Sequence, residues 1–248
     1  MNTTDNNKKK VLEKFKNGLI VSCQVQHDDP IFMDNIVVKM AQAAKWAGAS
    51  GIRANSPEQI RAIKAAVDLP LIGLYKIWSD DTNVFVTPTL ESAKQVFEAG
   101  AEIIALDCTD QEIRGRKAYE LLPQIKREIP EAIILADISN YDEAKRAVEM
   151  GADMVAPTLY GYTEKTSHIE HPDLREFARM CRDFGDKTCM VMEGHIYTPE
   201  DAIKCLYLGA YAVVVGSAIT RPHLIAKRFV DLMGGYQDNW RKAELSKH

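Results

Sequence analysis

The hydrophobic positions of this chain come in short runs. Eight of them are rich in Val, Ile, Leu and Ala: "GLIVSC" (18–23), "SGIR" (50–53), "PLIGLY" (70–75), "EIIALD" (102–107), "AIILAD" (132–137), "DMVAP" (153–157), "TCMVME" (188–193) and "AVVVG" (212–216). Amphipathic stretches of about a dozen residues separate them, the alternation expected of βα units around a parallel sheet. Stretches such as "SPEQIRAIKAAV", "TLESAKQVFEAG", "YDEAKRAVEMG", "HPDLREFARMCRDFG" and "TPEDAIKCLYLGA" mostly open near Ser, Thr or Pro and close on or near Gly. Those are helix start and stop signals in the right order.

Three segments repeat one corner: "VFEAGAEIIALD", "AVEMGADMVAPT" and "CLYLGAYAVVVGS" each run from a helix end through Gly-Ala and one further residue into a strand. A repeated αβ corner favours a single closed (β/α)₈ TIM barrel, of class α/β, over an open doubly wound sheet. The expected organisation is a polar, Lys-rich extension over residues 1–17 with one helical turn, a barrel over 18–235, and a polar end over 236–248. The 248 residues, 46% hydrophobic and 27% charged, suit one such domain.

Charge and cysteine usage narrow the function classes. The net charge is -4, and the basic residues are scattered rather than gathered between aromatics, which argues against nucleic acid as a partner. Cys23, Cys108, Cys181, Cys189 and Cys205 are odd in number and widely spaced, so they read as reduced thiols of a cytoplasmic protein. The start "KKKVLEKFKNGLIVSC" imitates a lipoprotein processing site, but Glu13, Lys14, Lys16 and Asn17 interrupt its apolar region. No other segment approaches the ~18 apolar residues that span a bilayer, so no membrane partner is expected.

In barrels of this type the site is built from residues at the C-terminal ends of the strands. Here those positions are mostly polar: Gln24, Arg53, Lys76, Asp107, Asp137, Thr158, Glu193 and the pair Gly216-Ser217. The eighth unit, "VVVGSAITRP", opens a buried strand through Gly216 and Ser217 onto a turn with free N–H groups, followed by Arg221. With Gly194 in the preceding loop, this composition suits a phosphate dianion. Lys76 and Glu193 remain for chemistry, a base whose charge burial and Arg53 would disfavour and an acid at the mouth. The same two residues are also compatible with a structural ion pair across the barrel. A Schiff-base lysine and a non-catalytic phosphosugar sensor are further readings. No His/Cys/carboxylate cluster has metal-ligand spacing, so no metal is expected.

Across 18–229, "GLIVSCQ", "AGASGIRANSPEQIRAIK", "PLIGLYK", "VFVTPTLESAKQVFEAGAEIIALDCT", "LADISNYDEAKRAVEMGADMVAPTLYGYT" and "MEGHIYTPEDAIKCLYLGAYAVVVGSAITRP" closely resemble the N-acetylmannosamine-6-phosphate 2-epimerases. "GIRAN" and "VVVGSAITRP" are the most specific of these motifs. The resemblance implies a barrel that interconverts N-acetylmannosamine 6-phosphate and N-acetylglucosamine 6-phosphate in sialic acid and amino-sugar breakdown, and a homodimer. No cofactor is expected for such a reaction, because a stereocentre next to a carbonyl inverts by proton transfer alone. It also implies that Lys76 and Glu193 are the catalytic pair and that Gln24, Arg53, Asp137 and Arg221 touch substrate, with Thr158 beside them. The chain departs from the family pattern at His195, where "EGRI" is usual, and at Arg114 and Arg116 in "DQEIRGRK". Pro157 and Tyr160 stand where smaller residues are common.

Overall fold

In the computed structural model, which describes residues 3–79, 82–169 and 173–245, eight parallel strands close into a barrel. They are β1 (Gly18–Cys23), β2 (Gly51–Asn55), β3 (Leu71–Leu74), β4 (Ile103–Asp107), β5 (Ile133–Asp137), β6 (Met154–Ala156), β7 (Cys189–Glu193) and β8 (Ala212–Val215). Each strand pairs with its sequence neighbours, and β8 closes the barrel on β1. Helices α2 (Ile36–Trp46), α3 (Pro57–Ala66), α4 (Leu90–Glu98), α5 (Leu121–Glu128), α6 (Tyr141–Glu149), α7 (Leu174–Phe184) and α8 (Pro199–Tyr207) lie between consecutive strands.

The repeated Gly-Ala corner has a local cause. Gly48, Gly100, Gly151 and Gly209 take φ of 84°, 102°, 84° and 103°, a left-handed turn that glycine adopts without steric cost. The Ala after each glycine donates its N–H back five residues, from Ala49, Ala101, Ala152 and Ala210 to the carbonyls of Ala44, Val96, Ala147 and Cys205. That is the Schellman closure of a helix, and the alanines it turns inward are buried. At the other ends, Thr89, Asn140 and Thr198 accept the backbone N–H of Ser92, Glu143 and Asp201. These caps satisfy N–H groups that a first helical turn leaves free.

Alternation along each strand divides the core. One set of side chains, including Ile20, Ile72, Leu74, Ile103, Ala105, Ile133, Leu135, Met154, Ala156, Val191, Ala212 and Val214, fills the barrel. The alternate set, including Val21, Ile52, Ile104, Ile134, Val155 and Val213, packs beneath the helices. The inward rows 72-74, 103-105, 133-135, 154-156 and 212-214 each reach a polar residue or glycine two positions on: Lys76, Asp107, Asp137, Thr158 and Gly216.

Both chain ends differ from the expected polar extensions. Residues 3–13 form an 11-residue helix, α1 (Thr3–Glu13). It delivers Phe15, fully buried, into the barrel floor, where a Cβ on Gly51 would collide with the Phe15 ring. After the single turn of α9 (Ser217–Thr220), helix α10 runs from Pro222 to Leu245, straight through the expected boundary at 235. Only residues 246–248 of the expected polar end lie outside the described residues. A two-stranded hairpin of Glu112–Ile113 and Arg116–Lys117 turns through Arg114 and Gly115, both at positive φ.

Candidate active site

A cavity of about 1040 Å³ opens at the C-terminal ends of the strands. Its lining contains Gln24, Arg53, Lys76, Thr158, Glu193, Gly194, Gly216, Ser217 and Arg221, so nine of the ten expected site residues share one space. Asp137 is the tenth. It is fully buried behind Arg53 and meets that guanidinium rather than the cavity. Asp107, at the end of β4, lies outside the lining as well. Val86 lies beside β4, bridging Lys76 on one side and accepting the Asp107 N–H at its carbonyl on the other.

Arg53 is not at the end of β2, as the sequence suggested, but in its middle, only 2% exposed. Its Nη1 and Nη2 donate to Asp137 Oδ1 and Oδ2 at 3.0 and 2.6 Å, a two-pronged pair. Nη1 also donates to Glu193 Oε2 at 2.5 Å. Thr158 Oγ1 donates to Asp137 Oδ1 at 2.6 Å. One guanidinium therefore holds two carboxylates, from the ends of β5 and β7 with only β6 between them, and Glu193 is the one that reaches the cavity. Burial alone opposes the charge on Arg53, but the Asp137 and Glu193 carboxylates outweigh it and strengthen its hold on the proton.

Lys76 is positioned through its backbone. Its N–H donates to Asn55 Oδ1 at 2.8 Å, while the neighbouring Tyr75 exchanges bonds with Thr87 through Tyr75 N to Thr87 Oγ1 and Thr87 N to Tyr75 O. Ser56, next to Asn55, and Thr87 take φ of 68° and 47°. Non-glycine residues, a β-branched one above all, occupy that region only where their surroundings compel it. Here the compulsion falls on both sides of Lys76. Asn55, Ser56 and Thr87 are not legible in the sequence as site residues, because their contribution runs through backbone contacts that no motif spells out.

Burial acts on Lys76 and Glu193 in opposite directions. Burial, and then the Arg53 guanidinium, bring Lys76 down from 10.5 to about 8. Burial pushes Glu193 up from 4.5 to about 7; Arg53 pulls the other way and Asp137 adds to the push. Ordinary lysine and glutamate hold a proton with very different affinities, and burial here moves the two toward each other from both sides. Near neutral pH one of the pair can therefore serve as base while the other holds a proton.

The mouth is ringed by residues outside the expected set. Trp78 stacks on Phe85 at 4.1 Å, and His195 stacks on Tyr162 at 5.9 Å with Tyr197 at its edge. Gly194 and His195 both take positive φ, 105° and 56°, which turns the chain sharply away from Glu193. Pro157 and Tyr160 pack behind this turn, with the His195 ring within 3.4 Å of the Tyr160 carbonyl. Arg114 and Arg116 belong to the hairpin and do not line the cavity. Among the described residues, no group of three or more His, Cys, Asp or Glu is arranged to hold a metal ion. No helix among them is long and apolar enough to cross a membrane.

Fold and cavity define a class: a (β/α)₈ barrel whose strand tops hold a buried lysine and a buried glutamate, their proton affinities shifted toward each other, beside a buried arginine. Residues 37–235 match the family model described as "Putative N-acetylmannosamine-6-phosphate epimerase". A relative from Caldanaerobacter subterraneus subsp. tengcongensis, described likewise as a 2-epimerase of that sugar phosphate, is 45% identical over 221 residues, 89% of this chain and 92% of its own. One from Borrelia garinii subsp. bavariensis, described in the same way, is 42% identical over 226 residues, 89% of this chain and 96% of its own. The solved structure of the N-acetylmannosamine-6-phosphate 2-epimerase from Clostridium perfringens superposes with a TM-score of 0.83 at 37% identity, covering 89% of this chain and 95% of that one. The chain belongs to the N-acetylmannosamine-6-phosphate epimerase family.

Proposed function

We propose that this protein interconverts N-acetylmannosamine 6-phosphate and N-acetylglucosamine 6-phosphate by moving a proton at C2, in the breakdown of sialic acid and amino sugars. The observation that carries the reading is the Lys76–Glu193 pair in one cavity, with Arg53 bonded to Glu193 and its charge disfavouring the charged form of Lys76. In the open-chain sugar, C1 is an aldehyde, so the C2 proton is acidic enough to be removed. One member of the pair takes that proton and the C2–H electrons move onto the C1 oxygen as an enolate. The other member then delivers a proton to the opposite face of C2, which inverts it. The positive charge of Arg53 and the amide of Gln24 favour the negative oxygen. No redox partner is needed, since the carbon enters and leaves at the same oxidation level.

The 6-phosphate is assigned to Gly194, Gly216, Ser217 and Arg221, all in the lining, in and beyond the loops after β7 and β8. Arg221→Ala is expected to raise KM by at least ~10-fold with a smaller change in kcat, since one charge-assisted hydrogen bond contributes about 1.5–3 kcal/mol. Equal efficiency on unphosphorylated N-acetylmannosamine would refute that assignment. A homodimer is part of the proposal. Phe229, Val230, Leu232, Met233 and Tyr236 stand 66 to 80% exposed along α10, more apolar surface than a single chain covers. The cytoplasm is the proposed compartment, in keeping with five unpaired cysteines.

Proton NMR of the purified protein with N-acetylmannosamine 6-phosphate tests the reading: N-acetylglucosamine 6-phosphate should accumulate to equilibrium without added cofactor. An unchanged spectrum would leave a phosphosugar-binding protein. Borohydride inactivation in the presence of substrate would instead mark Lys76 as a Schiff-base residue.

A further inference from the structure

Asp29 sits in the long loop between β1 and α2, and its side chain is only 8% exposed. Its carboxylate is engaged on every side. Oδ2 accepts from the Gln26 N–H at 2.8 Å and from Arg221 Nε at 3.1 Å. Arg221 Nη2 lies 2.8 Å from both carboxylate oxygens, and His223 Nε2 lies 3.0 Å from Oδ1. Burial raises the proton affinity of Asp29, but the Gln26 N–H and Arg221 outweigh it, so the group stays ionised. Arg221 thus commits Nε and Nη2 to Asp29, and Nη1 is the nitrogen left for the cavity that Arg221 lines.

We propose that Asp29 is the positioning residue of the phosphate subsite, fixing Arg221 so that its remaining N–H groups face the bound dianion. The inference rests on the reading of Arg221 as a phosphate ligand. Two effects oppose each other at this position. The Asp29 charge repels a phosphate, while its hydrogen bonds remove the rotamer freedom that Arg221 would otherwise lose on binding. Immobilising one such side chain costs up to about tenfold in affinity. The Asp29 charge is already offset at contact distance by a guanidinium, so what remains at the phosphate is a weak dipole. Positioning therefore dominates. Asp29 also joins the loop after β1 to the start of α10 through His223, so the carboxylate ties together two segments of the cavity wall.

The test compares Asp29→Asn, Arg221→Ala and the double variant, reading kcat, KM for the sugar phosphate, Ki for inorganic phosphate, and melting temperature. For Asp29→Asn, KM and the phosphate Ki should rise together by ~10-fold with kcat within ~2-fold of the parent. The double variant should be no weaker for phosphate than Arg221→Ala alone, because a positioning residue has nothing left to position. An unchanged or tighter phosphate Ki in Asp29→Asn, alongside a weaker one in Arg221→Ala, would overturn the proposal and leave Asp29 as a loop anchor. An unchanged Ki in Arg221→Ala would instead remove the underlying phosphate assignment, and this proposal with it. If Asp29→Asn does not fold, Asp29→Glu carries the same comparison: the shifted carboxylate should raise KM and the phosphate Ki without loss of kcat, and a parental Ki overturns the idea.

Discussion

Lys76→Ala and Glu193→Gln are each expected to lower kcat by ~10²- to 10⁴-fold, the range that one positioned acid or base contributes. Glu193→Gln is the cleaner of the two, since its side-chain oxygen can still accept from Arg53 Nη1 and keep the local packing. Lys76→Ala removes a side chain whose backbone is fixed independently by Asn55 and the Thr87 contacts, so the loop keeps its course. The loss should fall on kcat and leave KM within a few-fold, because binding depends on other groups. Near-parental turnover in either variant would exclude that residue from the chemistry. The same pair sets the pH profile. Below about 7 both groups hold protons and no base is available; above about 8 both have lost them and no acid is available. Turnover should peak between these limits, with limbs that belong to the pair rather than to either residue.

Arg53→Met should cost stability as well as activity. It leaves Asp137, fully buried, and Glu193, 9% exposed, without the cation that holds both. Breaking a buried ion pair by removing one partner costs about 3–5 kcal/mol, because the uncompensated charge stays buried. Urea denaturation should show the midpoint falling with an unchanged slope, and turnover should fall by at least ~10²-fold, since Glu193 no longer ionises readily beside Asp137. A variant of parental stability would mean that Arg53 contributes nothing net to the barrel interior.

How much of this the sequence discloses depends on how each feature is held. The strand tops are legible because the barrel imposes a period of two. Once 72 and 74 point inward, Lys76 does as well, and 154, 156 and 158 obey the same rule. The glycine corners are legible because a left-handed turn leaves few choices of residue. Arg53 reads from sequence as a strand end, since a charged residue inside a buried run ordinarily terminates it; only its two carboxylate partners, 84 and 140 positions away, explain its place. Asp137 reads as a substrate contact, whereas in the fold its oxygens are taken by Arg53 and Thr158. Asp29, Asn55 and Thr87 leave no signal, because each works through contacts made across the fold. Helix α1 is hidden by its polar composition, its reason for ordering being Phe15 in the barrel floor.

The central claim is that two separate groups work on opposite faces of C2. Turnover in D₂O tests it most directly. A proton taken by one group and a deuteron delivered by the other must give product labelled at C2 from the first turnovers, with label entering the remaining substrate only later, through reversal of the first step. Product that keeps its original hydrogen at C2 through those turnovers would contradict the scheme and point to a single group that holds and returns the same proton.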